Sequence, residues 1–149
     1  MTIIATWNVN SVRARLPRVL EWLDGFKPDI ALLQELKATE ETFPRIEIEE
    51  LGYHIEIHGQ KGFNGVGILS KKPISNVVRG LPNNEADEQA RYIEGTIDDL
   101  RVASIYLPNG NPAPGDKFDY KIRWMEYLHD HMKRVLKEPK AVIFGGDYN

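Results

Sequence analysis

The sequence predicts an α/β fold organised around strands that share one chemical edge. Three observations predict it. Two short apolar runs, Thr2 to Asn8 and Asp29 to Gln34, flank a stretch of helical periodicity. A much longer periodic stretch precedes a third apolar run, Ala141 to Phe144. Each run is followed at its carboxyl end by an amide or an acid, where open α/β sheets place their chemistry.

Taken in order, residues 2–8 are short, β-branched and apolar, and read as a strand ending at Asn8. The loop Asn8 to Ser11 leads into a helix whose Leu16, Val19, Leu20 and Leu23 follow i, i+3, i+4, i+7 spacing. Pro17 suits its first turn, where a missing N–H costs nothing, and Gly25 and Pro28 mark its stop. Asp29 to Gln34 holds four consecutive apolar residues, a strand buried on both faces. Two strands joined by a helix predict a right-handed βαβ unit, with Asn8 and Glu35 at one edge of a parallel sheet.

Pro44 to Leu51 reads as a short helix closed by Gly52, Tyr53 to His58 as a half-buried strand, and Val66 to Ser70 as its return after a turn at Lys61 to Gly65. A short strand is expected at Ile74 to Val78, and a mobile surface loop at Pro82 to Gln89. Arg91 to Ile97 and Leu100 to Tyr106 form a hairpin about Asp98-Asp99. After the Pro/Asn/Gly-rich loop Leu107 to Gly115, Asp116 is expected to cap the longest helix, which carries Phe118, Ile122, Met125, Leu128, Met132 and Val135 at helical spacing and ends before Pro139. Ala141 to Phe144 then makes a buried strand that turns sharply at Gly145-Gly146 into Asp147 and Asn149.

Composition narrows the function. The 149 residues fit one domain, and apolar and charged fractions of 42% and 28% are those of a globular chain. No apolar stretch nears the ~20 residues of a membrane span, so no membrane partner is expected. The absence of cysteine excludes disulfides, zinc–thiolate sites and thiol nucleophiles, and fits a cytoplasmic location. A net charge of −3 rules out holding nucleic acid by bulk electrostatics, so any such contact must be local.

The strand-end residues Asn8, Glu35, Tyr106, Asp147 and Asn149 are all oxygen donors. Hard cations such as Mg²⁺ take oxygen ligands, using one or two carboxylates beside waters and substrate phosphate. The set therefore suits Mg²⁺-assisted phosphoester hydrolysis, in which the metal polarises the phosphoryl oxygen and a carboxylate orients water. Ordinary Asx turns at strand ends are the competing reading.

Six blocks carry a resemblance: Trp7 to Arg15, Asp29 to Lys37, Gly62 to Gly67, Tyr106 to Gly110, Lys117 to Lys121 and Gly145 to Asn149. Together they closely resemble the exonuclease III (Xth-type) branch of the endonuclease/exonuclease/phosphatase superfamily, in the same order along the chain. The resemblance implies a four-layer α/β-sandwich, two sheets flanked by helices, of which residues 1–149 would be the N-terminal half with one sheet face bare. It also implies a DNA-repair phosphodiesterase using Mg²⁺ or Mn²⁺ on double-stranded DNA, at abasic sites or 3′ ends. Under it, Glu35 and Asn8 hold metal with Asp147 and Asn149; Tyr106, Asp147 and Asn149 act at the scissile phosphate; and Arg91 and Lys117 face the DNA backbone. Family members run on for roughly another hundred residues, about half a domain more. That portion carries another catalytic aspartate and a Ser-Asp-His, and a complementing C-terminal half would be a partner of this chain. None of His54, His58, His129 and His131 stands in for it; all four read as surface or boundary residues. Weak activity of the chain alone is thus expected. A non-catalytic DNA-binding fragment and a phosphatase of a non-nucleic phosphoester are the alternatives.

Overall fold

A computed structural model describes residues 1–149. Its elements run β1 (Ile4–Asn8), α1 (Leu16–Phe26), β2 (Ile30–Gln34), α2 (Arg45–Glu49), β3 (His54–His58), β4 (Val66–Ser70), β5 (Ser75–Arg79), β6 (Tyr92–Ile97), β7 (Leu100–Tyr106), α3 (Asp116–Val135) and β8 (Val142–Asp147). They form two four-stranded sheets, ordered β1-β2-β4-β3 and β5-β6-β7-β8. The expected βαβ unit is present, β1 pairing parallel with β2 from Ile4↔Ile30 to Asn8↔Gln34. A second strand–helix–strand unit answers it in the other sheet, where β7 and β8 pair parallel from Arg101↔Val142 to Tyr106↔Asp147. The remaining neighbours are antiparallel.

Three apolar layers hold four tiers together. Val19 and Leu23 of α1 and Ile48 of α2 cover the outer face of the first sheet on Ala31, Leu33, Ile57 and Leu69. Ile30, Leu32, Val66 and Ile68 meet Ile93, Ile97 and Val102 between the sheets. Trp124 and Leu128 of α3 cover Tyr92, Ala103 and Ile105 on the far side. Burying a side chain of this size contributes about 1.5–3 kcal/mol. The architecture is the predicted helix-flanked sandwich, with one correction. The 149 residues supply strands to both sheets, which face each other, so no sheet face is bare. The edge strands are β1 and β3 in one sheet and β5 and β8 in the other, and β1 and β8 lie against one another across the sandwich.

Three local readings are also corrected. Gly25 lies inside α1, and Lys27, at φ +51°, takes the left-handed cap, its N–H bonding Leu23 O. Asp116 is the first helical residue of α3 and makes no side-chain cap, but with Asp119 it places negative charge at the positive end of the helix dipole. The glycine pair near the C-terminus is not a turn: β8 continues through it to Asp147. A Cβ on Gly145 would stand 2.6 Å from Leu32 Cδ1, and one on Gly146, at φ +148°, would collide with the Ile105 carbonyl. These glycines let a strand lie close to its neighbours.

Candidate active site

Strand alternation explains why polar residues collect at one end of the inter-sheet layer. Successive side chains point to opposite faces. On β2 the inward residues are Ile30 and Leu32, so Gln34 also points inward; on β1 Ile4, Thr6 and Asn8 share that face. On β7 Val102 and Ser104 are followed by Tyr106, and on β8 the same parity brings Asp147 opposite Tyr106. The layer is apolar until its last step, where Gln34 donates to Thr6 Oγ1 (3.0 Å) and Ser104 Oγ (3.1 Å) and seals it. Beyond that seal lie the carboxyl ends of both parallel pairs.

Glu35 enters because the backbone turns out of β2 there. It takes φ +52°, as does Lys37, while Asn10 and Ser11 take +43° and +81°. Such values cost a residue with a Cβ roughly 1–2 kcal/mol. Backbone bonds offset the cost by stitching three loops together: Ser11 N–H to Glu35 O (2.8 Å), Val12 N–H to Leu36 O (3.1 Å), and Leu36 and Lys37 N–H to Gly65 O and Asn64 O (3.0 and 2.9 Å). Gly65, at φ +95°, approaches so closely that a Cβ would stand 3.0 Å from Leu36 Cβ. The Gly62 to Gly67 block thus shapes the loop that presents Glu35.

One amide joins the two carboxylates. Asn8 Nδ2 donates to Glu35 Oε2 at 2.6 Å and to Asp147 Oδ2 at 2.8 Å, and its Oδ1 accepts Asn10 N–H at 3.0 Å. Tyr106 stands beside them. Burial raises its phenol pKa, and the nearby Glu35 charge and hydrogen bond, with Asp147, raise it further, against an opposing effect of Arg91. It is therefore a neutral hydroxyl near pH 7. Asn149 donates its N–H to Asp147 Oδ1 (3.0 Å) and its Nδ2 to Leu107 O (2.6 Å). The structure thus brings Asn8, Glu35, Tyr106, Asp147 and Asn149 together. Arg91 adjoins them, its guanidinium carbon 5.1 Å from the Tyr106 ring centroid. Lys117 lies farther out, exposed on α3, lining a groove of about 610 Å³ that also meets Arg91 and Arg123.

Lys37 belongs to the cluster, although sequence reasoning left it out. Its Nζ donates to Asn10 Oδ1 (2.7 Å) and stands 3.9 Å from Glu35 Oε1. Its place two residues after Glu35 in the same block was the available signal. His54, His58 and His129 lie away from this cluster. His131 corrects the expectation of surface or boundary histidines: it is 4% exposed, with Nε2 2.6 Å from Glu94 Oε1 beneath α3. The donor set at the strand ends is oxygen alone, with two carboxylates and no third His, Cys, Asp or Glu beside them. That chemistry fits a hard cation completing its shell with water and phosphate, rather than a closed protein cage.

Comparison with known proteins follows the same lines. The profile of the "Endonuclease/Exonuclease/phosphatase family" matches residues 5–149. Exodeoxyribonuclease III of Haemophilus influenzae is 32% identical over 149 residues, covering 97% of this chain and 56% of that protein. Among solved structures, a 3′-5′ exonuclease from Neisseria meningitidis superposes with a TM-score of 0.95 at 38% identity, covering 98% of this chain and 57% of the other. An AP endonuclease from Archaeoglobus fulgidus gives 0.94 at 36%, covering 99% and 57%. The chain spans a little over half the length of these relatives.

Proposed function

The chain belongs to the endonuclease/exonuclease/phosphatase family, and on that premise we propose that its strand-end cluster hydrolyses phosphodiesters of duplex DNA with a divalent metal, at abasic sites or 3′ ends. The observation that carries the reading is the Asn8 bridge, which holds Glu35 and Asp147 on either side of one amide at the carboxyl ends of two parallel strand pairs. Glu35, with Asn8, Asp147 and Asn149, would hold Mg²⁺ or Mn²⁺. When bound, such an ion polarises a phosphoryl oxygen and eases departure of the leaving group.

The chain's own residues have separable tasks in this reading. Tyr106, kept protonated by burial and by Glu35, offers its O–H to a nonbridging phosphate oxygen. Asn149 adds an amide donor to that phosphate. Asp147, the acceptor of the Asn8 amide and the Asn149 N–H, aligns a water for in-line attack or returns a proton to the leaving oxygen. Arg91 and Lys117 draw the DNA backbone along the groove. The relatives' full activity is proposed for chains nearly twice this length. The 149 residues alone correspond to the N-terminal part of that catalytic domain and are expected to turn over slowly unless a complementing C-terminal half is supplied.

The test is cleavage of three duplexes, with an abasic site, a recessed 3′ end or a 3′ phosphate, with and without Mg²⁺, with and without the complementing portion of a relative in trans. Slow Mg²⁺-dependent hydrolysis that rises on complementation is expected. DNA binding indifferent to metal, with no turnover even on complementation, would instead identify a binding module. Hydrolysis of an inositol phosphate but no DNA would move the substrate class.

A further inference from the structure

Arg91 stands beside Tyr106, yet a long arginine side chain next to a solvent-filled groove holds a fixed direction only if something else fixes it. Four contacts do. Its guanidinium carbon is 5.1 Å from the Tyr106 ring centroid and 5.7 Å from that of Tyr120, both within cation–π range. Its Nε donates to Gln89 Oε1 at 2.9 Å and its Nη1 to Tyr106 O at 3.4 Å. Two of these holders, Tyr120 and Gln89, converge on one carboxylate. Asp87 Oδ2 accepts the Tyr120 hydroxyl at 2.6 Å, and Asp87 Oδ1 accepts the Gln89 N–H at 2.9 Å. Asn84 adds a third bond to Oδ2, at 3.4 Å. Asp87 lies in the irregular stretch between β5 and β6 and reaches across to α3, so with Asn83, which donates to Tyr127 O at 3.0 Å, it ties this loop to the helix carrying Lys117.

We propose that Asp87 is a positioning residue of the active site: by fixing Tyr120 and Gln89 together, it holds the Arg91 guanidinium against Tyr106 and turned toward the groove. The inference rests on the phosphodiesterase reading for its consequence in DNA binding, though its geometric content does not. A loop-capping role alone would leave Arg91 indifferent to the loss of Asp87. A positioning role transmits that loss to Arg91 and to its packing against the Tyr106 and Tyr120 rings.

The experiment compares the chain with Asp87→Ala and with the milder Tyr120→Phe, which keeps the ring and removes only the hydroxyl that Asp87 binds. The Arg91 Nε–Hε NMR resonance, shifted by the two rings, is expected to move toward that of a free arginine in both variants. On duplex DNA, KM is expected to rise about five- to tenfold with kcat within about twofold, the pattern of lost uniform binding. Asp87→Asn, which retains one acceptor oxygen, is expected to restore part of each effect. A lower melting temperature with the Arg91 resonance unmoved would overturn the proposal. Should Asp87→Ala fail to fold, the Arg91 resonance in Tyr120→Phe decides it. That signal needs no turnover, so a chain that cleaves no DNA even on complementation sinks the hydrolase reading while Arg91 still answers for this one.

Discussion

Glu94 and the Glu35–Asp147 pair are carboxylates drawn partly out of water in the same chain, and their surroundings differ in charge balance. Glu94, 2% exposed on β6, accepts from Tyr92 Oη (2.8 Å), His131 Nε2 (2.6 Å) and Arg101 Nε (2.6 Å), and Arg101 reaches on to Glu138. Burial pushes its pKa up, but those hydrogen bonds and the Arg101 charge outweigh burial and hold it below the usual 4.5. Every acceptor is met and a cation sits alongside. At the strand ends, two carboxylates share a single amide, and the nearest lysine stands 3.9 Å off Glu35. The difference separates a closed polar cluster, which fastens α3 to its sheet, from an open one with acceptors to spare for a cation.

If that contrast is sound, neutralising the open cluster should cost activity and not stability. Glu35→Gln and Asp147→Asn are each expected to lower turnover by about 10²–10⁴-fold, the usual worth of an acid–base or positioning group. Their melting temperatures should hold or rise, since each removes a charge from an under-neutralised pair. A loss of fold in either variant would erase the distinction. The closed cluster should behave in reverse: Glu94→Ala strands Arg101, His131 and Tyr92, and about 3–5 kcal/mol of stability should go with it by urea unfolding. Next in size is metal. Mg²⁺ at a hundred times its dissociation constant stabilises a native-state site by about 2.7 kcal/mol, a gain that should vanish in Glu35→Gln and persist in Glu94→Gln.

The smallest expected effect sharpens the contrast through pH. A folded pKa below the unfolded one means the unfolded chain binds the proton more readily. The stabilisation from Glu94 is therefore complete above about pH 4.5 and is lost as pH falls through its folded value. Unfolding free energy measured from pH 6 downward should fall, and Glu94→Gln should flatten that part of the curve. An unchanged slope would mean the cluster is not linked to folding.

Much of this was legible in the chain because it depends on local rules. The βαβ unit followed from two apolar runs and one helical period, and the hairpin about Asp98-Asp99 from two facing runs. The membership of the strand-end cluster followed from where each run stopped. What was not legible depends on neighbours distant in sequence. Gly145 and Gly146 signal a turn by composition, and only the nearness of Leu32 and Ile105 makes them strand residues. Four polar residues, Tyr92, Glu94, Arg101 and His131, come from three elements, and no spacing announces that they meet. The Asp87–Tyr120 bond likewise joins residues 33 apart.

The open rim has a consequence for exchange with solvent. β1 and β8 are edge strands of their sheets, and both are half-exposed. Edge amides exchange by small local openings at a fraction of the global unfolding cost. Asn8 ends one of these strands and Asp147 the other, and their bond at 2.8 Å spans the gap between them. Fraying of either edge therefore takes the bridge apart, and the fraction of molecules with an assembled site equals the fraction with both edges closed. Any polypeptide that hydrogen-bonds along the rim would raise that fraction without touching a single site residue.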